Sequence, residues 1–231
     1  ESLADAAELA ATLAVRYDSL PIAPAVEGLE NTLAPLLEGR PRDTTEENLQ
    51  SRARGALLMA ISNKLGPMLV TTGNKSEISV GYATLYGDMN GAFNPIKDLY
   101  KTEVLRLARW RNTHRPDGLL GPQGRVIPKR TIEKPPSAEL RENQRDEDSL
   151  PPYQVLDAVL ERLVEEDRSV AEIVAEGFDP QTVRRIESLL YGAEFKRRQA
   201  APGVKITRRN FGRDRRYPIT NRYRETAGEA S

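Results

Sequence analysis

The residue types that could hold a phosphorylated ligand crowd into one stretch, TTGNKSEISVGYATLYGDMNGAFNPIKDLYKTEV, residues 71–104. Glu77 falls in the first turn of a helix whose start the pattern predicts near Lys75, just after the apolar segment PMLVTT. A carboxylate there is an oxygen ligand suited to magnesium, a cation that travels with phosphates. It would equally complement the positive end of a helix dipole. Thr72 offers a hydroxyl to a ligand or a cap to the same helix. The sequence has no cysteine and one histidine, His114, which excludes disulfides, thiolate metal sites, a cysteine nucleophile and any two-histidine site. Carboxylates, lysines, arginines and backbone must therefore do the chemistry. His114, in a polar loop, reads as a surface residue. Asp88 in YGDMNG reads as a turn residue, and Tyr82 and Tyr86, four apart, as packing. The run RDEDS reads as a solvated loop whose partner would be the basic C-terminal tail.

These side chains need elements to position them. The 231 residues, 39% hydrophobic and 29% charged, can bury one sizeable core, alone or with a small appendage. No run approaches the roughly 18 apolar residues of a membrane span, and the first residues carry acids where a signal peptide has lysines. A cytoplasmic protein without membrane association is expected. SLADAAELAATLAVRY shows a helical stripe opened by Ser2 with Asp5 three residues on. YDSLPI reads as a short strand, VEGLENTLAPLLEG as a helix closed by Gly39, Thr45 to about Leu65 as a long helix, and PMLVTT as a buried strand. Alternating helices and short apolar strands predict an α/β fold built on a parallel sheet, where ligands bind beyond the carboxyl ends of the strands. Residues 113–150 are rich in Pro, Gly and charge and read as a functional or mobile loop. Helices over 152–166, 169–176 and 180–199 close the chain.

Charge is distributed unevenly. Residues 1–50 hold ten acids and three bases, whereas thirteen Lys and Arg face five acids from 181 onward. That basic tail predicts a polyanionic partner: nucleotide phosphates, nucleic acid or an acidic surface.

Thr45 to Trp110 closely resembles the synthetase domain of NAD synthetases, specifically the glutamine-dependent form. KPPSAELRENQRDEDSLPPYQVLD is similar to that family's mobile catalytic loop and the segment after it, and YGAEFKRRQAAPGVKITRRNFGRDRRYPITNRY to its C-terminal end. Several long strings in the right order are far more specific than one short motif. The resemblance implies residues 1–231 as the C-terminal part of an NAD synthetase domain, with the mobile loop at 113–150 and C-terminal helices and a basic tail at 151–231. It implies a parallel sheet of the adenine-nucleotide alpha-hydrolase (Rossmann-like) type. The implied reaction is ATP-dependent amidation of deamido-NAD through an adenylate, with Mg2+ as cofactor, ATP as co-substrate and ammonia drawn from glutamine. It also assigns residues. Thr72, Lys101 and Ser137 match ATP-binding positions; Asn48, Arg52, Glu77 and Lys196 match deamido-NAD positions; Glu77 matches the metal ligand. Ser137 stands where the family has a threonine. No residue is assigned as catalytic, and a homo-oligomer is expected.

The sequence also departs from the family. No SGGxDS-type phosphate loop is present, nor the strand that precedes it, so the sheet is expected to lack its first strand. The glutamine-dependent forms begin with an amidase domain whose nucleophile is a cysteine, which this sequence lacks. The chain is therefore expected to be incomplete and inactive alone. A nucleic-acid binder acting through the tail, where Arg stands beside Phe211 and Tyr217, and a non-catalytic assembly partner that binds nucleotide weakly are the alternatives.

Overall fold

The structure, a computed structural model, describes residues 2–141 and 143–220. Glu1, Glu142 and the end of the basic tail, including Arg222, Tyr223 and Arg224, lie outside the described residues. Helices dominate. In order they are α1 (Ser2–Leu13), α2 (Ala23–Leu37), α3 (Thr44–Leu65), α4 (Lys75–Val80), α5 (Lys101–Arg111), α6 (Lys129–Glu133), α7 (Tyr153–Val164), α8 (Val170–Ala175), α9 (Pro180–Gly192) and α10 (Glu194–Arg197).

Local chemistry explains where several of them start and stop. Asp43 opens α3 by accepting from Thr45 N at 2.7 Å while Glu46 accepts from Asp43 N at 2.8 Å, a reciprocal capping box. Gly66, with φ at 93°, closes it in the left-handed region and donates to Ser62 O. Gly39, at φ 76°, follows the end of α2 as expected. At α1 the expected box does not form. The Ser2 hydroxyl goes to Glu139 and the Asp5 carboxylate to Arg130, because both side chains face the 129–139 segment.

The core lies in the C-terminal half. Leu156, Val159, Leu160 and Val164 of α7 follow the i, i+3, i+4, i+8 helical spacing and are fully buried. They meet Ile173 of α8 and Val183, Ile186 and Leu190 of α9. Helix α4 packs against α5, α7, α9 and α10. Six residues are too few for an isolated helix, so α4 exists by virtue of this packing.

The expected sheet is not seen among the described residues. Pairing is limited to isolated parallel bridges, Val70 with Phe93, Asn94 with Gly203 and Phe211 with Arg215. PMLVTT contributes Val70 alone to this pairing, and YDSLPI forms no strand. A strand needs a neighbour for its backbone N–H and C=O groups, and residues 16–21 are instead exposed to solvent. None of the described helices is long and apolar enough to cross a membrane.

A buried lysine ties the C-terminal segment to the core. Lys75, fully buried, sets Nζ 2.9 Å from Asp98 Oδ1, 2.5 Å from Glu165 Oε1 and 2.8 Å from the Arg209 carbonyl. Asp98 in turn accepts from Ile206 N and Thr207 N, each at 2.7 Å. Burial alone would raise the Asp98 carboxyl, but the Lys75 ammonium and those two amides hold it below its ordinary 3.8. A carboxylate lowered in the folded state contributes stability that is complete above about pH 3.8 and is lost as pH falls through the lowered value. Asp98→Asn should therefore flatten the acid limb of the stability curve below pH 4, read by urea unfolding at a series of pH values. An unchanged slope would remove Asp98 from the account.

Candidate active site

The junction of α4 and α5 fixes the first of the expected site residues. Ser76 donates to the buried Asp157 carboxylate and its oxygen accepts from Lys101 N at 2.8 Å, while Asp157 Oδ2 accepts from Thr102 N at 2.9 Å. The start of α5 is thereby anchored to α7. Burial holds the Asp157 carboxyl above the usual range despite these bonds. Lys101 projects from the anchor with Nζ 3.2 Å from Glu77 Oε1 and 5.3 Å from the centroid of the Tyr153 ring. Glu77 completes a capping box with Asn74: Asn74 Oδ1 accepts from Glu77 N at 3.0 Å, and Glu77 Oε2 accepts from Asn74 N at 3.1 Å. Of the two readings of Glu77, the helix-capping one is realised in full. Burial, then the charges of Glu77 and Asp146, push the Tyr153 phenol up, so it stays protonated and donates to Asp146 Oδ2 at 2.8 Å.

Lys101 and Ser137 line one cleft of about 340 Å³, together with Ser2, Asp5, Lys134 and Glu139. A second cleft of about 720 Å³ shares Ser2, Lys134, Ser137 and Glu139 and continues along the loop to Arg145. The loop is tied to α3 by Arg141, which pairs with Glu47 at 3.2 Å, and is closed on itself by Lys134 with Glu139 at 2.6 Å. Thr72 is exposed in the turn before α4 and is not among the residues lining either cleft.

Asn48, Arg52 and Lys196 converge elsewhere, on the turn 81–88. Asn48 Oδ1 accepts from Thr84 Oγ1 at 2.9 Å, Arg52 Nε donates to Leu85 O at 3.2 Å, and Lys196 Nζ donates to Gly81 O and Ala83 O, each at 2.7 Å. Burial lowers the Lys196 ammonium, and the nearby Asp88 charge opposes that shift. Asp88 shapes the turn as expected, accepting from Thr84 N at 2.6 Å. Tyr86 is 67% exposed and does not pack as expected, because the turn projects it outward. The glycines here serve the protein's own backbone: a Cβ on Gly87 would lie 2.2 Å from Ser51 Oγ, and one on Gly55 2.9 Å from Tyr86 O. Helix α3 and the turn thus touch backbone to backbone.

No cluster of three or more His, Asp or Glu side chains among the described residues could hold a metal ion. Glu77 is a single carboxylate with one oxygen on Lys101 and the other on Asn74. These residues do not build a resident metal site. One carboxylate suits magnesium that arrives already bound to substrate phosphates.

Several of the described bases of the tail are paired with acids of the chain itself. Arg197 and Arg198 both engage Glu194, Lys205 pairs with Asp214 at 2.5 Å, and Arg209 and Arg215 share Asp167. RDEDS meets the tail through its backbone, where Ser149 O accepts from Arg185 at 2.6 Å, while its acids turn elsewhere. Asp146 is buried against Tyr153, and Asp148 pairs with Arg141 at 2.8 Å. The residues that position Lys101, Ser76 and Asp157, lie inside the strings that carry the family resemblance, but their pairing across 81 residues of sequence has no local signal. Lys134 stood beside Ser137 in KPPS and could have been found by asking which cations share its loop.

Comparison with known proteins decides the family. The family model for NAD synthase matches residues 1–200. The chain belongs to the NAD synthase family. The glutamine-dependent NAD(+) synthetase of Rhodobacter capsulatus is 61% identical over 225 residues, 97% of this chain and 41% of that protein. Among solved structures, the glutamine-dependent NAD+ synthetase from Acinetobacter baumannii in complex with ADP is 46% identical, with a TM-score of 0.54 over 95% of this chain and 38% of that one. The glutamine-dependent NAD(+) synthetase from Cytophaga hutchinsonii, 23% identical, matches in fold with a TM-score of 0.76 over 96% of this chain and 37% of its own. The chain thus spans about two-fifths of these NAD synthase relatives, 41% in the first case.

Proposed function

We propose that this chain carries the synthetase chemistry of a glutamine-dependent NAD synthetase: ATP-dependent amidation of deamido-NAD, with ammonia released from glutamine elsewhere in the assembly. The nicotinate carboxylate attacks the α-phosphorus of ATP, forming an acyl–oxygen–phosphorus bond as the bond to pyrophosphate breaks. Ammonia then adds to the acyl carbon, loses a proton, and AMP leaves. The observation that carries this reading is the meeting of Lys101 and Ser137 in one cleft. Lys101 supplies a point charge for phosphate oxygens and Ser137 a hydroxyl donor. Lys101 stabilises the charge that develops on the leaving pyrophosphate once its pair with Glu77 opens. Magnesium would arrive bound to ATP, and Glu77 is the carboxylate that would hold it. Thr72, exposed near the start of α4, meets ATP outside the cleft.

Deamido-NAD lies along the turn 81–88, which Asn48, Arg52 and Lys196 hold in shape through its carbonyls and Thr84. The parallel bridges support the family's parallel sheet, and the apolar side chains that α3 leaves exposed, Leu58, Ile61 and Leu65, support association with a second copy. A cytoplasmic setting fits a reaction that consumes ATP and a dinucleotide.

The test sets this chain in place of the corresponding part of the Rhodobacter capsulatus relative and compares Lys101→Met with Ser137→Ala. Loss of a hydrogen bond to a charged group costs about 1.5–3 kcal/mol, so each variant should lose about tenfold or more in kcat/KM for ATP. Raised KM for deamido-NAD with ATP parameters unchanged would place the nucleotides the other way round.

A further inference from the structure

Both lysines of the cleft are held by carboxylates of the chain itself. Lys101 pairs with Glu77 at 3.2 Å, and Lys134 with Glu139 at 2.6 Å. Glu77 is built into α4 by its capping box. Glu139 is held by its backbone, with its N–H on Ser137 Oγ at 3.1 Å and its carbonyl accepting from Arg54, while its side chain caps no helix; it sits in the loop with φ at 53°, and its side chain is 45% exposed. Its carboxylate nevertheless reaches into the cleft, where one oxygen takes both the Lys134 ammonium and the Ser2 hydroxyl, the latter at 2.5 Å. Lys134 Nζ also lies 2.9 Å from Ser2 Oγ, which closes a triangle of Lys134, Ser2 and Glu139. The Lys134 and Ser2 hydrogen bonds hold the Glu139 carboxyl below its usual range. The remaining acid lining this cleft, Asp5, is neutralised by Arg130, whose Nε is 3.0 Å from each carboxylate oxygen.

We propose that Lys134 is a second phosphate-binding cation of this cleft and that Glu139 is an internal anion that occupies Lys134 until a polyphosphate displaces it. The proposal rests on the reading of the cleft as a polyphosphate site and adds the residue and the exchange that occupy its outer end. An ion pair between partly exposed side chains is weak, so a ligand carrying several negative charges outcompetes one carboxylate for the same ammonium. The two clefts share Lys134, Ser137 and Glu139 in their linings, so the exchange at Lys134 bears on both.

The test titrates the 231-residue chain with inorganic pyrophosphate by calorimetry at low ionic strength, where exposed charges are least screened. Glu139→Gln should tighten binding about threefold, as expected for removing a competing surface pair. Lys134→Met should weaken it about tenfold. In the double variant Glu139→Gln with Lys134→Met, affinity should equal that of Lys134→Met alone, because Glu139 acts only by occupying Lys134. Glu139→Gln binding no tighter than the parent overturns the exchange. A gain from Glu139→Gln that persists without Lys134 also overturns it, since the effect is then general repulsion. Deamido-NAD is absent from the titration, so pyrophosphate binding with this pattern, beside a joined protein that forms no NAD, would refute the proposed reaction and leave the exchange standing.

Discussion

Glu77→Gln, in the chain joined to the rest of the Rhodobacter capsulatus relative, should lower pyrophosphate release by about 100-fold or more while leaving the melting temperature nearly unchanged. The substitution keeps an oxygen that can accept from Asn74 N, so the capping box survives with its acceptor intact. What disappears is the negative charge, which pairs with Lys101 at 3.2 Å and which, on the proposed function, turns to the magnesium of MgATP. Stabilisation of the leaving pyrophosphate by a metal contributes several kcal/mol, and each 1.36 kcal/mol is tenfold in rate. The stability effect is small because a partly exposed ion pair contributes about 0–1 kcal/mol. If Glu77 only caps α4, the ranking reverses: a small loss of stability and a normal rate. Pyrophosphate release and thermal unfolding on the same sample separate the two readings.

Lys75→Met should destabilise the 231-residue chain by about 3–5 kcal/mol, the cost of leaving buried charges without their partner. Asp98 and Glu165 both lose their ammonium, and the Arg209 carbonyl and Thr207 hydroxyl lose a donor. The phenyl ring of Phe211, 5.5 Å from Nζ, and the Tyr100 ring at 5.3 Å lose a cation. For a chain of this size the melting temperature should fall by roughly 10 °C, and the segment around 205–215 should become accessible to protease before the rest. A shift of less than about 2 °C would mean that the Lys75 network is replaceable and does not hold the C-terminal segment.

The helices were legible where sequence spacing and local capping agree. Asp43 with Glu46, and Leu156 with Val159 and Leu160, announce α3 and α7 by neighbours within one turn. The sheet was not legible in the same way. A short apolar run such as PMLVTT shows the tendency to extend but not whether a partner strand lies beside it, and here Val70 alone bridges, to Phe93. Lys101 and Ser137 could be named from the family resemblance, and the structure brings them to one cleft. It also places Glu77 against Lys101, and gathers Asn48, Arg52 and Lys196 on the turn 81–88. Asp157 and Lys75 escaped, because their roles arise from contacts across 81 and 90 residues of sequence, to which no local pattern points. In the basic tail, Glu194 and Asp214 pair with bases a few residues away, whereas Asp167, the partner of Arg209 and Arg215, lies on a distant part of the chain.

The central claim is that the cleft between Lys101 and Ser137 activates a carboxylate by adenylation. The most direct test is the product stoichiometry of the joined protein supplied with ATP, deamido-NAD and ammonia. The account predicts one AMP and one pyrophosphate for each NAD formed, with none of the three accumulating when deamido-NAD is omitted. ADP and inorganic phosphate in their place, or AMP and pyrophosphate released without deamido-NAD, would contradict it.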